Sequence, residues 1–382
     1  MTCTGIDAIT GAAVVVEYDR TITSVAAASQ SSGGFIAPGW IDIQVNGYAG
    51  VDYNSPRSPH EELARSVHVQ YAMGVTRFYP TVITGGPDEM AGALRNLARF
   101  KQNAAEGAAM DGFHVEGPYI SPEDGPRGAH PKRWVRRPDF NEFQRWQEAA
   151  QGHVRLVTIS PEWPEAPGFI EKIVKAGVVA SIGHTNADAA QIADAVKAGA
   201  TLSTHLGNGS HSIIRRHPNY IWDQLAEDGL MADFIADGIH LPASFLKACI
   251  RAKGLERSVL VTDAAMPAGC KPGRYCLGEQ IVELTADGDR VVLEGTDKLA
   301  GSALRMDVGV ENLMKLAGLS LADAVRMATV NAAKAGRVPG RENGLAKGDR
   351  ADFVLFDFDP EQKKIEVRAT YVDGQKVFSR DA

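Results

Sequence analysis

Short apolar, β-branched segments alternate with helical stretches through the middle of the chain, and this alternation limits the possible folds more than any other feature. Eight segments read as strands: Trp40–Val45, Val75–Tyr79, Gly112–Glu116, Val154–Ile159, Val178–His184, Thr201–His205, Ala232–Ala236 and Val259–Asp263. Most are followed by a helical pattern, as at Glu61–Met73, Met90–Asn103, Phe169–Ala176 and Ala187–Lys197. Strands that are apolar along their length belong in a parallel sheet covered on both faces. Eight βα units in succession predict an α/β fold closed as a (β/α)8 barrel of the TIM type, rather than an open sheet. The segment Ile281–Glu294, centred on Ala286-Asp287-Gly288, reads as an inserted hairpin. Helices near Ser302–Leu316 and Leu321–Ala333 then complete the barrel.

The two ends differ from the middle. Ala12–Val16 and Thr21–Val25 read as strands in front, and Asp352–Phe356, Lys364–Thr370 and Gln375–Phe378 read as strands behind. Gly-rich punctuation sets both groups apart, at Ser31-Ser32-Gly33-Gly34 and from Gly344 to Gly348. The expected division is a small β-sandwich domain from residues 1–36 and 345–382, with a catalytic barrel over 37–344. The chain's 382 residues suit a barrel of roughly 250 residues with insertions and a smaller module.

A net charge of -7 gives no electrostatic footing for nucleic acid, so none is expected as a partner. No apolar run approaches bilayer length, and MTCTGIDAIT lacks the basic and apolar regions of a signal peptide. The expectation is a cytoplasmic protein without a membrane partner. Cys3, Cys249, Cys270 and Cys276 are scattered, with no Cys-x-x-Cys pair, and read as free thiols.

In such a barrel, chemistry gathers at the C-terminal ends of the strands. Those ends carry Gln44, Asn46, Glu116, His184, His205, His240 and Asp263. A lone histidine there is commonly a hydrogen-bonded surface residue, and a lone aspartate is commonly a helix N-cap. Glu116, His184, His205 and Asp263 converging from the third, fifth, sixth and eighth strands instead point to a metal site. One carboxylate and two imidazoles suit zinc, or iron, manganese or cobalt, and leave positions open for water. Asp263 is placed to take a proton from that water and return it to a leaving amine. A dinucleotide site is excluded, because no Gly-x-Gly-x-x-Gly joins a strand to a helix. A serine hydrolase is excluded by the lack of Gly-x-Ser-x-Gly.

The runs Ala37–Gly50, His114–Pro131, Ser181–Ala187, Thr204–His211, Ala236–His240, Val261–Gly269 and Leu299–Leu304 resemble, in order, the N-acetylglucosamine-6-phosphate deacetylases of the amidohydrolase superfamily. The resemblance implies hydrolysis of an N-acetyl amino-sugar phosphate with one divalent ion, zinc by preference, held by Glu116, His184 and His205. It implies Asp263 as the catalytic aspartate. It assigns substrate contacts to Ala129 and His130, with His130 near the acetyl carbonyl, and to Leu299, Ala300 and Gly301. Asn208, Gly209, Arg216, Asp237, Gly238, Ile239 and His240 match positions that hold the sugar phosphate. It also implies a homodimer in which the partner supplies the contact at the position of Arg216.

Two departures stand out. Many amidohydrolases carry His-x-His on the first strand for a second metal, whereas this chain has Gln44-Val45-Asn46, which some of the deacetylases share. Amides are poor ligands for a zinc-like ion, so one metal is expected. The second is Gly207-Asn208-Gly209-Ser210-His211, where the family has an aromatic residue and then Asn-Ala-Met; the glycines are expected to free the backbone and open space. Two other readings follow: an amidohydrolase for a different N-acyl amino sugar or cyclic amide, or a non-catalytic binding protein of the same fold.

Overall fold

The structure, a computed structural model, describes residues 1–29 and 34–381. Eight parallel strands form one sheet in chain order: Trp40–Val45, Val75–Ile83, Phe113–Glu116, Val154–Ile159, Val179–Ile182, Leu202–Ser203, Met231–Ile235 and Ser258–Val261. The last strand returns to the first. Asp263 N–H donates to the Gln44 carbonyl at 3.0 Å, and Asn46 N–H donates to the Ala264 carbonyl at 2.7 Å. The sheet is thus the expected barrel. Its strands are buried on both faces, which is why they are apolar without alternation. Ile41, Ile43, Leu156, Val179, Leu202 and Val259 share an interior cluster with Ala332 and Ala335 of a late helix. Tyr79 Oη donates to the Gly336 carbonyl at 2.7 Å and ties that helix to the barrel.

Helices at His60–Ala72, Pro87–Asn103, Ala166–Lys175 and Ala189–Lys197 stand where the periodicity predicts them. The late ones differ. Leu299–Ser302 is a strand, so the helix expected from Ser302 starts at Met306; it runs to Asn312 and continues as a π-helical turn, Leu313–Ala317, close to its expected end. The expected Leu321–Ala333 helix breaks at Thr329 into Leu321–Ala328 and Val330–Gly336. There the Thr329 hydroxyl donates back to the Val325 carbonyl at 2.6 Å, the side-chain bond by which threonine bends helices.

The inserted hairpin exists, as Gln280–Leu284 and Arg290–Leu293, inside a larger unit. Gly273–Leu277 and Leu299–Ser302 flank it to make a four-stranded antiparallel sheet. Its apolar face, with Leu277, Val282, Leu284, Val291 and Ala300, packs on Ile83 at the end of the second barrel strand.

Strands from both termini join in a seven-stranded sheet, in the order Gln375–Ser379, Lys364–Val372, Phe353–Asp359, Phe35–Pro38, Thr2–Asp7, Ala13–Tyr18 and Ile22–Ala27. The sheet curls over its own core, bringing the Tyr18 ring to 4.9 Å from Phe353 and 5.9 Å from Tyr371. Thr2–Asp7 and Phe35–Pro38 are strands that the sequence pattern did not reveal. Residues 31–33 of the expected front junction lie outside the described residues. Among the described residues no helix is long and apolar enough to cross a membrane.

Candidate active site

Glu116 ends the third barrel strand. His184, His205 and Asp263 each stand two residues beyond their strands, which end at Ile182, Ser203 and Val261. All three adopt left-handed backbone, with φ of 49°, 30° and 52°. Non-glycine residues rarely do so, and such strain gathers at functional sites. The pattern-based strands ran on to these residues, whereas the chain in fact turns sharply before them.

The turns bring the side chains together. His184 Nε2 is 3.1 Å and His205 Nε2 is 2.8 Å from the same oxygen, Glu116 Oε1. The other ring nitrogen of His184 donates to the Pro126 carbonyl at 2.8 Å, which leaves Nε2 with its lone pair. Ligand atoms about 2 Å from a common zinc-like ion stand roughly 3 Å apart, so each histidine nitrogen stands from the Glu116 oxygen at a distance that a shared divalent ion allows. Among the described residues, the group whose ligand atoms all lie within 4.8 Å of one another is Glu116, His130 and His184, without His205. Burial alone would raise the Glu116 pKa, but the two histidines hold it well below the usual carboxylate range. Burial opposes charge on His205, yet contact with Glu116 prevails and raises its pKa to about 9.

Asp263 is buried beside this group. Burial first, and then the Glu116 carboxylate, raise its pKa to about 6. Asn46 Nδ2 donates to its Oδ1 at 2.6 Å. Gln44 Nε2 reaches both carboxylates, at 3.2 Å from Asp263 and 3.0 Å from Glu116. The amides that replace His-x-His therefore act as donors that orient the two acids. Further supports escaped the sequence reading. Thr84 Oγ1 lies 2.8 Å from His130 Nδ1, and Asp233 accepts the His205 N–H at 2.5 Å. An aspartate inside the apolar run Met231–Ile235 was the available signal for the second.

A cavity of about 120 Å³ opens over these groups. Its walls include Ala129, His130, Asn208, Gly209, His240, Leu299, Ala300 and Gly301, together with Glu116, His184, His205 and Asp263. Asn46, Ile83 and Leu277 also line it, although the sequence reading did not place them at a substrate. Asp237, Gly238 and Ile239 stand behind the wall. Asp237 accepts from the Ile239 and His240 backbone N–H groups, each at 2.8 Å, and meets His240 Nδ1 at 2.6 Å. Arg216 is exposed on the loop before Asn219 and does not reach this chain's own cavity.

The expectation that the glycines open space is corrected. Gly209, at φ 55°, lies so close to the His184 ring that an added Cβ would be 2.5 Å from Nδ1. Gly128 faces Cε1 of the same ring, with 3.0 Å left for a Cβ. A Cβ on Gly207 would be 2.6 Å from the Phe245 ring. Glycine here permits close approach, and His184 is clamped between two backbones.

An acid–imidazole cluster at the C-terminal mouth of a closed parallel barrel is the layout of a metal-dependent amidohydrolase. The match to the Amidohydrolase family spans residues 35–377. The chain belongs to that family, and within it to the N-acetylglucosamine-6-phosphate deacetylases. It is 34% identical to the N-acetylglucosamine-6-phosphate deacetylase of Bacillus subtilis, over 85% of this chain and 81% of that one. Against the Homo sapiens enzyme of the same name it is 35% identical, over 92% and 85%. A Mycobacterium smegmatis deacetylase, an aspartate-to-alanine variant in complex with N-acetyl-D-glucosamine-6-phosphate, superposes with a TM-score of 0.88 at 31% identity, covering 98% of each chain. The Thermotoga maritima deacetylase superposes at 0.86 with 27% identity, over 99% of this chain and 100% of that one.

Proposed function

We propose that this protein hydrolyses N-acetylglucosamine 6-phosphate to glucosamine 6-phosphate and acetate. The convergence of His184 and His205 on one Glu116 oxygen beside buried Asp263 carries the reading. Glu116, His184 and His205 would hold one divalent ion, zinc or else iron, manganese or cobalt. His205 is preferred to His130 as the third ligand, because its Nε2 meets the same Glu116 oxygen as that of His184. His130 is instead anchored through Nδ1 to Thr84 and set edge-on to the His184 ring at 4.4 Å. When bound, the ion supplies Lewis acidity to water and to the amide carbonyl.

The protein's own groups do the rest. Asp263 accepts the proton of the attacking water and returns it to the departing amine nitrogen. Gln44 and Asn46 keep its carboxylate aimed. In the tautomer this role requires, the Thr84 hydroxyl donates to His130 Nδ1, leaving Nε2–H for the acyl oxygen. Asp237 meets His240 Nδ1 at 2.6 Å and so fixes the ring, which suits its other nitrogen to a phosphate beside Asn208 and Gly209. Ala129 and Leu299–Gly301 shape the sugar side. Arg216 would arrive from a second copy in a homodimer; exposed Ile213 (89%) and Trp222 (54%) flank its loop and suit a face that another copy covers. In this reading residues 37–344 form the catalytic barrel and 1–36 with 345–382 the small domain. The protein works in the cytoplasm, where a sugar phosphate is retained.

Acetate release from N-acetylglucosamine, with and without the 6-phosphate, tests the reading. Turnover should be far more efficient with the phosphate than without it and should stop on removal of the metal. Arg216→Ala should raise KM for the phosphorylated sugar more than about tenfold, near 1.4 kcal/mol, and leave the plain sugar nearly unaffected. Equal turnover of both sugars would point to a different N-acyl substrate.

A further inference from the structure

A second cavity, of about 380 Å³, adjoins the catalytic one. Ile83 and Leu277 line both and form the partition between them. Beyond them the lining turns polar, with Asn54, Arg57, Glu89 and Gln280. The partition is apolar and closely packed. Ile83 is 8% and Leu277 3% exposed, and both belong to one cluster with Val282 and Ala300. It is also fixed in place. Asn54 Oδ1 accepts the Ile83 N–H at 2.7 Å, and Gly278 N–H, next to Leu277, donates to Asp52 at 2.9 Å. Gln280 Nε2 donates to the Ala129 carbonyl, so the inserted sheet is held to the loop that carries His130.

We propose that Ile83 and Leu277 set the length of acyl chain this enzyme accepts, by receiving the acyl methyl and shutting longer chains out of the second cavity. The proposal rests on the N-deacylation reading above. A scissile amide in this cavity presents three groups. In that reading its carbonyl oxygen faces His130, while its nitrogen leads to the sugar beside Ala129 and Leu299–Gly301 and to the phosphate beside Asn208, Gly209 and His240. The remaining group, the acyl substituent, meets the remaining wall. Ile83 directly precedes Thr84, the residue that anchors His130, so the wall beside the carbonyl contact is Ile83 with Leu277 packed on it. These side chains cannot hydrogen-bond, so they take a methyl group and reject a polar substituent. One additional methylene in a tight apolar pocket alters specificity by roughly 10- to 200-fold.

The test compares N-acetyl, N-propionyl and N-butyryl glucosamine 6-phosphate on metal-loaded protein. Wild type should lose at least about a hundredfold in kcat/KM from acetyl to butyryl. Leu277→Ala and Ile83→Ala should each narrow that gap by at least about tenfold, and Ile83→Val should fall between. Crystal structures of the alanine variants should show the two cavities joined. Binding of acetate and butyrate to each metal-loaded protein, followed by calorimetry, supplies a readout without the sugar: butyrate should gain on acetate in the variants. An unchanged acetyl-to-butyryl ratio, or no gain for butyrate, overturns the partition. Failure of wild type to release acetate from the N-acetyl substrate overturns the parent reading, while the carboxylate series still decides the partition.

Discussion

At the scale of single residues, the proposed mechanism asks one carboxylate, Asp263, to stay basic in a place that disfavours its charge. Burial and the neighbouring Glu116 carboxylate raise the Asp263 pKa to about 6, while Asn46 donates a 2.6 Å hydrogen bond that favours the ionised form. A base with a pKa just below neutrality is ionised at pH 7 yet still binds a proton readily. Asp263→Asn keeps the shape and removes that capacity. The variant should bind its metal and lose at least about 10²-fold in kcat. Elemental analysis alongside turnover separates the two effects. Near-normal turnover with metal in place would transfer the role of base to His130, which sits across the same cavity.

At the scale of elements, what positions each residue of the proposed site beyond its strand is a turn, and the following helix secures that turn. After His184 the chain enters the helix Ala189–Lys197 through a reciprocal cap: the Asp188 side chain accepts the Gln191 N–H, and Gln191 Oε1 accepts the Asp188 N–H, both at 2.9 Å. Asp188→Ala should cost about 1 kcal/mol, read as a fall of roughly 1 °C in thermal midpoint for a chain of this size. Metal content should stay unchanged, since the Pro126 carbonyl and the two glycines still hold the His184 ring. The same scale shows what was legible in advance. The barrel strands were readable because burial on both faces demands unbroken apolar runs, and His184, His205 and Asp263 were readable because they interrupt those runs. The left-handed turns that aim them were not, because no glycine marks those positions. Leu277 gave no signal either, since it reaches the cavity from an insertion rather than from a barrel strand. The strand Leu299–Ser302 was hidden by its pairing with that same insertion, a contact that local periodicity does not encode.

At the scale of the whole molecule, the barrel and the terminal sheet meet at a buried cluster of charge. Asp352, with no exposed side-chain surface, faces two arginines from the barrel side. Arg77, on the second barrel strand, donates to it at 2.7 and 2.9 Å, and Arg341 donates at 2.9 Å. Arg77 also reaches Asp373 at 2.7 Å, and Arg341 reaches the Gly39 carbonyl at 2.7 Å, so both halves of the molecule are stitched at one carboxylate. Burial would raise the pKa of Asp352, but Arg341 and Arg77 outweigh it and bring the value down to about 2. A carboxylate held below its unfolded value, about 3.9, stabilises the fold above that pH, and this contribution disappears as pH falls through 2. The difference amounts to about 2.5 kcal/mol. Asp352→Asn leaves two buried guanidinium groups facing a neutral amide and should cost about 3–5 kcal/mol at pH 7. Denaturant unfolding at pH 7, and thermal midpoints between pH 6 and 2, provide the check. The wild type should weaken more steeply than the variant as pH drops from 4 towards 2. A variant with the wild-type acid profile, or one losing less than about 1 kcal/mol at neutral pH, would show that the junction is held by its apolar contacts instead.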